Sequence, residues 1–481
     1  MAALLLGGAM APVFAADVKN LSVTVSSGTQ ANAYGGYTIE EGASALQNAL
    51  TLSGPAKVLG ASAGGWSRWG NAEWNTLTIR LDEDGLLGPS DIVGGGVAES
   101  EGGGAAVHNT VYIESGTVEG TVEGGVAVGI NGVGDGTGDV LSNQVTMSGG
   151  TVYSVFSGET GEGNANDNVV TIKGSAAVTG KSNAVYGGYT IDGNASGNIV
   201  NIEDDADIHG EIMGGYTRAG SLISGNKVNV TGGNVNENTV YGVYTAYGDV
   251  LDNQAVIKGT GQAGSSDTNS VYAGFTNIGA AAGNILYIQD SAEIAGSAFA
   301  GYQGGFISSE TVERNQVFMS GGSVGGDLTG GGSNNGGETL NNYVEITGGT
   351  VSGNVYSGFT DSADALENTL TVAGGRVEGS LFGGYSNTGT ANENKLTFSA
   401  GTARSDAYGG YAQEGADGNE AVLSGTSVLE GNATGGSSAR GEASGNSLTI
   451  KENSEVKGDA AGGDVYMGTI SKNIITIQYN A

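Results

Sequence analysis

The residues best suited to chemistry in this chain are few and far apart. Its two histidines, His108 and His209, stand about a hundred residues apart, and there is no cysteine. A thiol nucleophile, a disulfide and a Cys/His zinc site are thereby excluded. No strand-turn-helix nucleophile elbow surrounds any serine, so a Ser-His-Asp site has no framework. The densest carboxylate run is Glu203-Asp204-Asp205-Ala206-Asp207. Paired carboxylates serve glycoside hydrolysis, but a charge run just after an apolar stretch reads first as a solvated turn. Lys173, Arg218, Lys258, Arg314, Arg376 and Arg404 are scattered, without the basic cluster that a uronate lyase needs. The string Gly132-Val133-Gly134-Asp135-Gly136-Thr137-Gly138-Asp139 is a lone, imperfect echo of a calcium-binding repeat. We therefore expect no catalytic residue, no metal ligand and no cofactor. Three tryptophans, Trp66, Trp69 and Trp74, are the candidate ligand-binding residues, because exposed indole rings suit sugar or protein contacts.

The elements that would position such residues are repeats. The motif Asn-x-φ-x-φ, with φ apolar, occurs 16 times at spacings of 25 to 34 residues, beginning at Asn48, Asn75, Asn109 and Asn143. It continues through Asn168, Asn198, Asn226, Asn253, Asn284, Asn315, Asn342, Asn368 and Asn394 to Asn419, Asn446 and Asn473. Apolar residues alternating with Thr, as in Val170-Thr171-Ile172, make a strand with one buried face. A Gly-Gly turn often follows, as at Gly149-Gly150 and Gly348-Gly349, supplying positive φ at a corner. Next comes an aromatic-small-Gly-aromatic signature: Tyr34-Gly35-Gly36-Tyr37, Tyr186-Gly187-Gly188-Tyr189, Phe382-Gly383-Gly384-Tyr385 and others. Inward stacking of at least the second aromatic is expected, since Gly-Gly permits a bend.

One such unit cannot bury its apolar face alone, whereas stacked units bury a continuous interior and pair every strand with the coils on either side. The expected fold is an all-β, single-stranded parallel β-helix of about 16 coils, continuous over 16–481. The anchor asparagines are expected to form a side-chain amide ladder, and asparagine also tolerates a left-handed turn conformation. Longer spacings near Asn75 and Asn109 suggest projecting loops at 59–74, 81–106 and 131–139, where binding function often lies.

Composition limits the partners. Among 481 residues there are 92 glycines but only 3 prolines, which excludes collagen, and 38% are apolar, which excludes disorder. The net charge of −33 repels nucleic acid. The apolar run Ala3–Phe14, ending in small residues at Ala15-Ala16, reads as the core and cleavage region of a secretory signal over 1–15.

Asn143-Gln-Val-Thr-Met, Tyr186-Gly-Gly-Tyr-Thr190 and Asn198-Ile-Val-Asn-Ile together resemble the passenger repeats of bacterial autotransporters. The resemblance spans nearly all of 20–481 and implies a right-handed β-helix of the pectin-lyase-like class. It implies export to the cell surface or outer membrane, or secretion, and an adhesin or scaffold role towards a host or matrix glycan or protein. The outer-membrane translocation barrel of such proteins is missing from this chain; Ile474-Ile475-Thr476-Ile477 read as one more coil. A β-helix polysaccharide lyase or hydrolase is the alternative. A flat self-associating face ranks below both, because the outward positions Lys227, Gln316, Tyr343 and Glu345 are not uniform.

Overall fold

The computed structural model describes residues 17–89, 92–99, 103–129, 136–182, 184–236, 238–264, 271–305, 309–334 and 336–478. The expected signal segment 1–15 lies outside them, as do 131–135 and residues 90, 91 and 100–102 of the expected loops. The chain forms two units, Met1–Asn238 and Thr239–Ala481. Each is a parallel β-solenoid without helix among the described residues, and together they hold about 16 turns.

In each coil the Asn-led strand is one face. Its burial alternates as the sequence pattern requires: in Val169–Ile172, Val170 and Ile172 are fully buried while Val169 and Thr171 are half-exposed. It pairs in parallel register with Gln144–Met147 before it and Ile199–Ile202 after it. A two-residue strand such as Ala177–Val178 follows the Gly turn, and then a six-residue strand such as Val185–Thr190 carries the aromatic signature. A second two-residue strand, such as Ala165–Asn166, leads into the next Asn. Parallel strands lie about 4.8 Å apart. Each such strand is therefore bonded to the equivalent strand one coil away, which pairs the backbone groups of the interior along the solenoid.

The anchor asparagines are buried and joined. In the first unit, Nδ2 of each donates to Oδ1 of the next, from Asn48 through Asn75, Asn109, Asn143, Asn168 and Asn198 to Asn226, at 3.0 to 3.1 Å. In the second unit the same bond runs from Asn253 through Asn284, Asn315, Asn342, Asn368, Asn394, Asn419 and Asn446 to Asn473, at 2.9 to 3.1 Å. Amides inside the ladder are saturated, as at Asn342. Asn342 Oδ1 accepts from the Asn315 backbone N–H and Nδ2, both at 3.0 Å. Its Nδ2 donates to Asn368 Oδ1 and to the Val312 carbonyl, both at 2.9 Å. A turn precedes the first Asn, in which Leu21 takes the anchor place and its N–H donates to Asn48 Oδ1 at 3.1 Å.

The left-handed residue at this corner is the one before the asparagine, not the asparagine itself. Gln47, Trp74, His108, Ser142, Asp167, Asp252, Arg314, Asn341, Glu367, Glu393 and Lys472 all have φ between +54° and +58°, and Gly197, Gly225, Gly283, Gly418 and Gly445 occupy the same place in other coils. A side chain at positive φ costs about 1–2 kcal/mol. The Gly-Gly turns do supply positive φ, at their second glycine: +82° at Gly150 and +91° at Gly349.

Two of the expected loops carry strands of the coil. Segment 59–74 contains the strand Ser62–Ser67, in register with Ala33–Thr38, and the pair Ala72–Glu73. Segment 81–106 contains Leu86–Leu87 and Val93–Glu99. The extra residues near Asn75 and Asn109 are shared among several corners, so the strands keep register.

Replacing Asn342 with Ala strands two donors of Asn315 and removes a donor from two acceptors. The expected loss is about 3 kcal/mol or more, read as a lower thermal midpoint or as local hydrogen exchange around Asn315–Asn368. Conversely, Glu367→Gly relieves a left-handed side chain and should raise stability by about 0.5–1 kcal/mol after the entropy cost of glycine, measured by denaturant melting.

Candidate functional site

The candidate site is the outer face of the aromatic strand. The two glycines between the aromatics face inward. A β-carbon on Gly187 would approach the Asn198 side chain and the Gly214 carbonyl, and one on Gly188 would fall on the Asn198 amide. With consecutive residues turned inward, the strand bends, and the aromatics on either side both turn outward. This overturns the expected inward stacking: the volume inside the bend is taken by the asparagine ladder. The rings instead pack on each other outside the bend, several of them buried by their neighbours, with Tyr34 and Tyr37 only 5.0 Å apart between centroids.

Stacking from coil to coil makes double ladders. In the first unit Phe156, Tyr189 and Tyr216 stack at 5.7 and 4.8 Å, while Tyr186 beside them is 1% exposed. In the second unit one ladder carries Tyr241, Tyr272 and Phe299 beside Tyr244 and Phe275, with interplanar angles of 8° to 10°. Another carries Tyr356, Phe382 and Tyr408 beside Phe359, Tyr385 and Tyr411, with angles of 6° to 10°. Burial pushes the phenols of Tyr34, Tyr189 and Tyr302 up to about 12, so they remain neutral hydrogen-bonding groups at physiological pH. A rail of polar residues runs beside the second ladder. Asn354 Nδ2 donates to the Tyr356 hydroxyl at 3.0 Å, and the Tyr408 hydroxyl donates to Asp406 at 3.1 Å.

The tryptophans fall in different places. Trp66 occupies an aromatic position, is 7% exposed and packs against Tyr34 and Tyr37. Its Nε1 has no hydrogen-bond partner among the described residues. Trp69 is half-buried just beyond that strand. Trp74 is the left-handed residue before Asn75, is 56% exposed and stacks on His108 at 4.1 Å.

The other candidates for chemistry are dispersed. Asp204 is a left-handed turn residue whose carboxylate accepts from the Gly174 N–H at 3.1 Å, and Asp207 meets His209 at 2.9 Å on the surface. Arginines are matched with carboxylates: Arg80 with Glu114 at 2.7 Å, Arg218 with Asp192 at 2.9 Å, Arg314 with Glu313 at 2.6 Å, and Arg376 and Arg404 with Glu378. A shallow depression beside Arg80 is lined by Leu81, Asp82, Glu83 and Ser115–Thr117. Among the described residues no group of three or more His, Asp or Glu is placed to hold a metal.

Sequence reasoning missed one carboxylate pair. Glu123 and Glu159 take aromatic positions in neighbouring coils, Glu123 opposite Phe156 and Glu159 opposite Tyr189. Their side chains hydrogen-bond to each other, and Glu123 is 1% exposed. Contact of this kind is too close for either glycosidase geometry, which needs about 5 Å or more between carboxyl groups. The signal was available only after aligning coils, as acids standing where other coils have rings. Comparison with known protein families, with characterised proteins and with solved structures finds no match for the chain.

Burial raises the Glu159 carboxyl to about 7, partly offset by the Glu123 hydrogen bond. A carboxyl raised in the folded state stabilises fully below its unfolded value, and that stability is lost as pH rises through the folded value. The protein should therefore lose stability as pH rises from 5 to 8. Glu159→Gln should flatten that slope, as followed by melting temperature against pH.

Proposed function

We propose that the chain is a non-catalytic, exported surface scaffold of the adhesin kind, the passenger part of a bacterial autotransporter. One observation carries this reading: stacked aromatic ladders stand on the outer face of coils whose interior is locked by saturated asparagines. Such coils hold their side chains at fixed spacing with little freedom to rearrange, which suits a binding surface. Rings with polar neighbours bind sugar or protein surfaces through apolar area and directed hydrogen bonds together. The apolar run Ala3–Phe14 supports export, and the repeat pattern supports the autotransporter assignment. The partners in this reading are an outer-membrane translocation barrel and a host or matrix glycan or protein. The strongly acidic composition opposes nucleic acid.

Fused ahead of an outer-membrane barrel in a bacterial host, the chain should reach the cell surface and make those cells adhere to glycan- or matrix-coated plates. It should release no reducing or unsaturated ends from polysaccharides. Retention inside the cell, absence of adhesion, or turnover of a uronate polymer would each contradict the proposal, the last in favour of a polysaccharide-processing enzyme.

A further inference from the structure

Within a ladder, the ring faces are occupied by other rings, and solvent meets ring edges. A ligand that needs a ring face can use only a ladder end. In the second unit one end is closed. Tyr302 tilts 50° from Tyr272 and 32° from Phe275, is 7% exposed, and lies over Gly332, where a β-carbon would come within 2.9 Å of its ring. The end at Tyr408 and Tyr411 differs. Both rings stay parallel to those before them, at 7° and 8°. The next coil replaces them with Thr434 opposite Tyr408 and Ser437 opposite Tyr411. The stripe therefore drops from rings to small hydroxyls in one step.

The floor of that step is polar and unspent. Thr434 is 5% and Ser437 is 6% exposed, and neither hydroxyl makes a hydrogen bond among the described residues. Both point the way the rings do, because they hold the same strand positions. At the rim, Asn432 uses its N–H on Asp406 and its Oδ1 for the Asp459 N–H, each at 2.8 Å, leaving its Nδ2 to donate elsewhere. Asp464, opposite Ser437 in the following coil, is exposed. A flat apolar wall above two hydroxyls, an amide donor and a carboxylate acceptor matches a pyranose ring, with C–H bonds on one face and hydroxyls at its edge. The bordering carboxylates and the net charge of −33 select against uronates and other anionic sugars.

We propose that this step binds one neutral pyranose residue of a glycan, with Tyr411 and Tyr408 as the stacking wall and Thr434, Ser437 and Asn432 as its hydrogen-bonding partners. The inference rests on the adhesin reading and names the ligand class of its binding face.

The test uses the full chain with two probes, a neutral gluco-oligosaccharide and oligogalacturonate, followed by saturation-transfer NMR and calorimetry. The neutral probe should bind, and the anionic one should bind at least tenfold more weakly. Ser437→Tyr extends the ladder over the step; it should weaken neutral binding tenfold or more while leaving the melting temperature unchanged or higher. Tyr411→Ala should have the same effect on binding. Absence of neutral binding, neutral binding unchanged in Ser437→Tyr, or preference for oligogalacturonate overturns the proposal. Cells displaying Ser437→Tyr separate the two readings. If they adhere as well as cells displaying the original chain, the pyranose site is wrong and the adhesin reading stands. If the original chain confers no adhesion, the adhesin reading itself fails.

Discussion

The buried asparagine amide is the constraint on which the coils depend. An amide side chain has two donors and an oxygen with two lone pairs, and burying them unpaired costs several kcal/mol. Here each is paired, through the neighbouring anchors and a backbone carbonyl, as at Asn168, which contacts Asn143, Asn198 and Val140. The geometry works only if the chain returns to the same place after every turn. That requirement fixes register together with the buried apolar face, which a one-residue slip would turn outward.

Two further features follow from it. The amide must lie against backbone that carries no side chain, so the second glycine of the aromatic signature packs on it, as Gly384 does on Asn394. That glycine and its neighbour turn inward, which forces the flanking rings outward. The ladders outside are thus a mechanical consequence of the ladder inside. The corner before each Asn must also turn left-handed, and the chain accepts Trp74, His108, Glu367 and Glu393 there at a cost. At Trp74 and His108 the strained corners place two rings in contact.

Much of this was legible in the sequence, because period-two alternation after Asn states both strand and buried face. The stacking of coils followed from units that could not close a core alone. Three things were not legible. Ring direction depended on which way the glycines faced, and that is set by contact with an Asn about ten residues further on. The left-handed site was hidden because its residue types, from Trp to Lys, share no chemical character. The segments expected as loops were inferred from spacing alone, and spacing does not reveal that an insertion is divided among corners while Ser62–Ser67 and Val93–Glu99 stay paired. The coil also separates the three tryptophans, placing Trp66 among the rings of Tyr34 and Tyr37 and Trp74 at a corner.

Surface charge plays a smaller part. Cross-coil pairs such as Arg80 with Glu114, and the chain of Arg404, Glu378, Glu430 and Lys457, lie at the surface, where solvent and salt screen them and each contributes little. They relieve repulsion among acidic neighbours without determining the fold. The amide ladder is best tested by side-chain amide hydrogen exchange in the folded protein. The Nδ2 protons of Asn315, Asn342 and Asn368 should exchange orders of magnitude more slowly than those of the exposed Asn432. Equal, rapid exchange at all four would show that no such buried ladder exists.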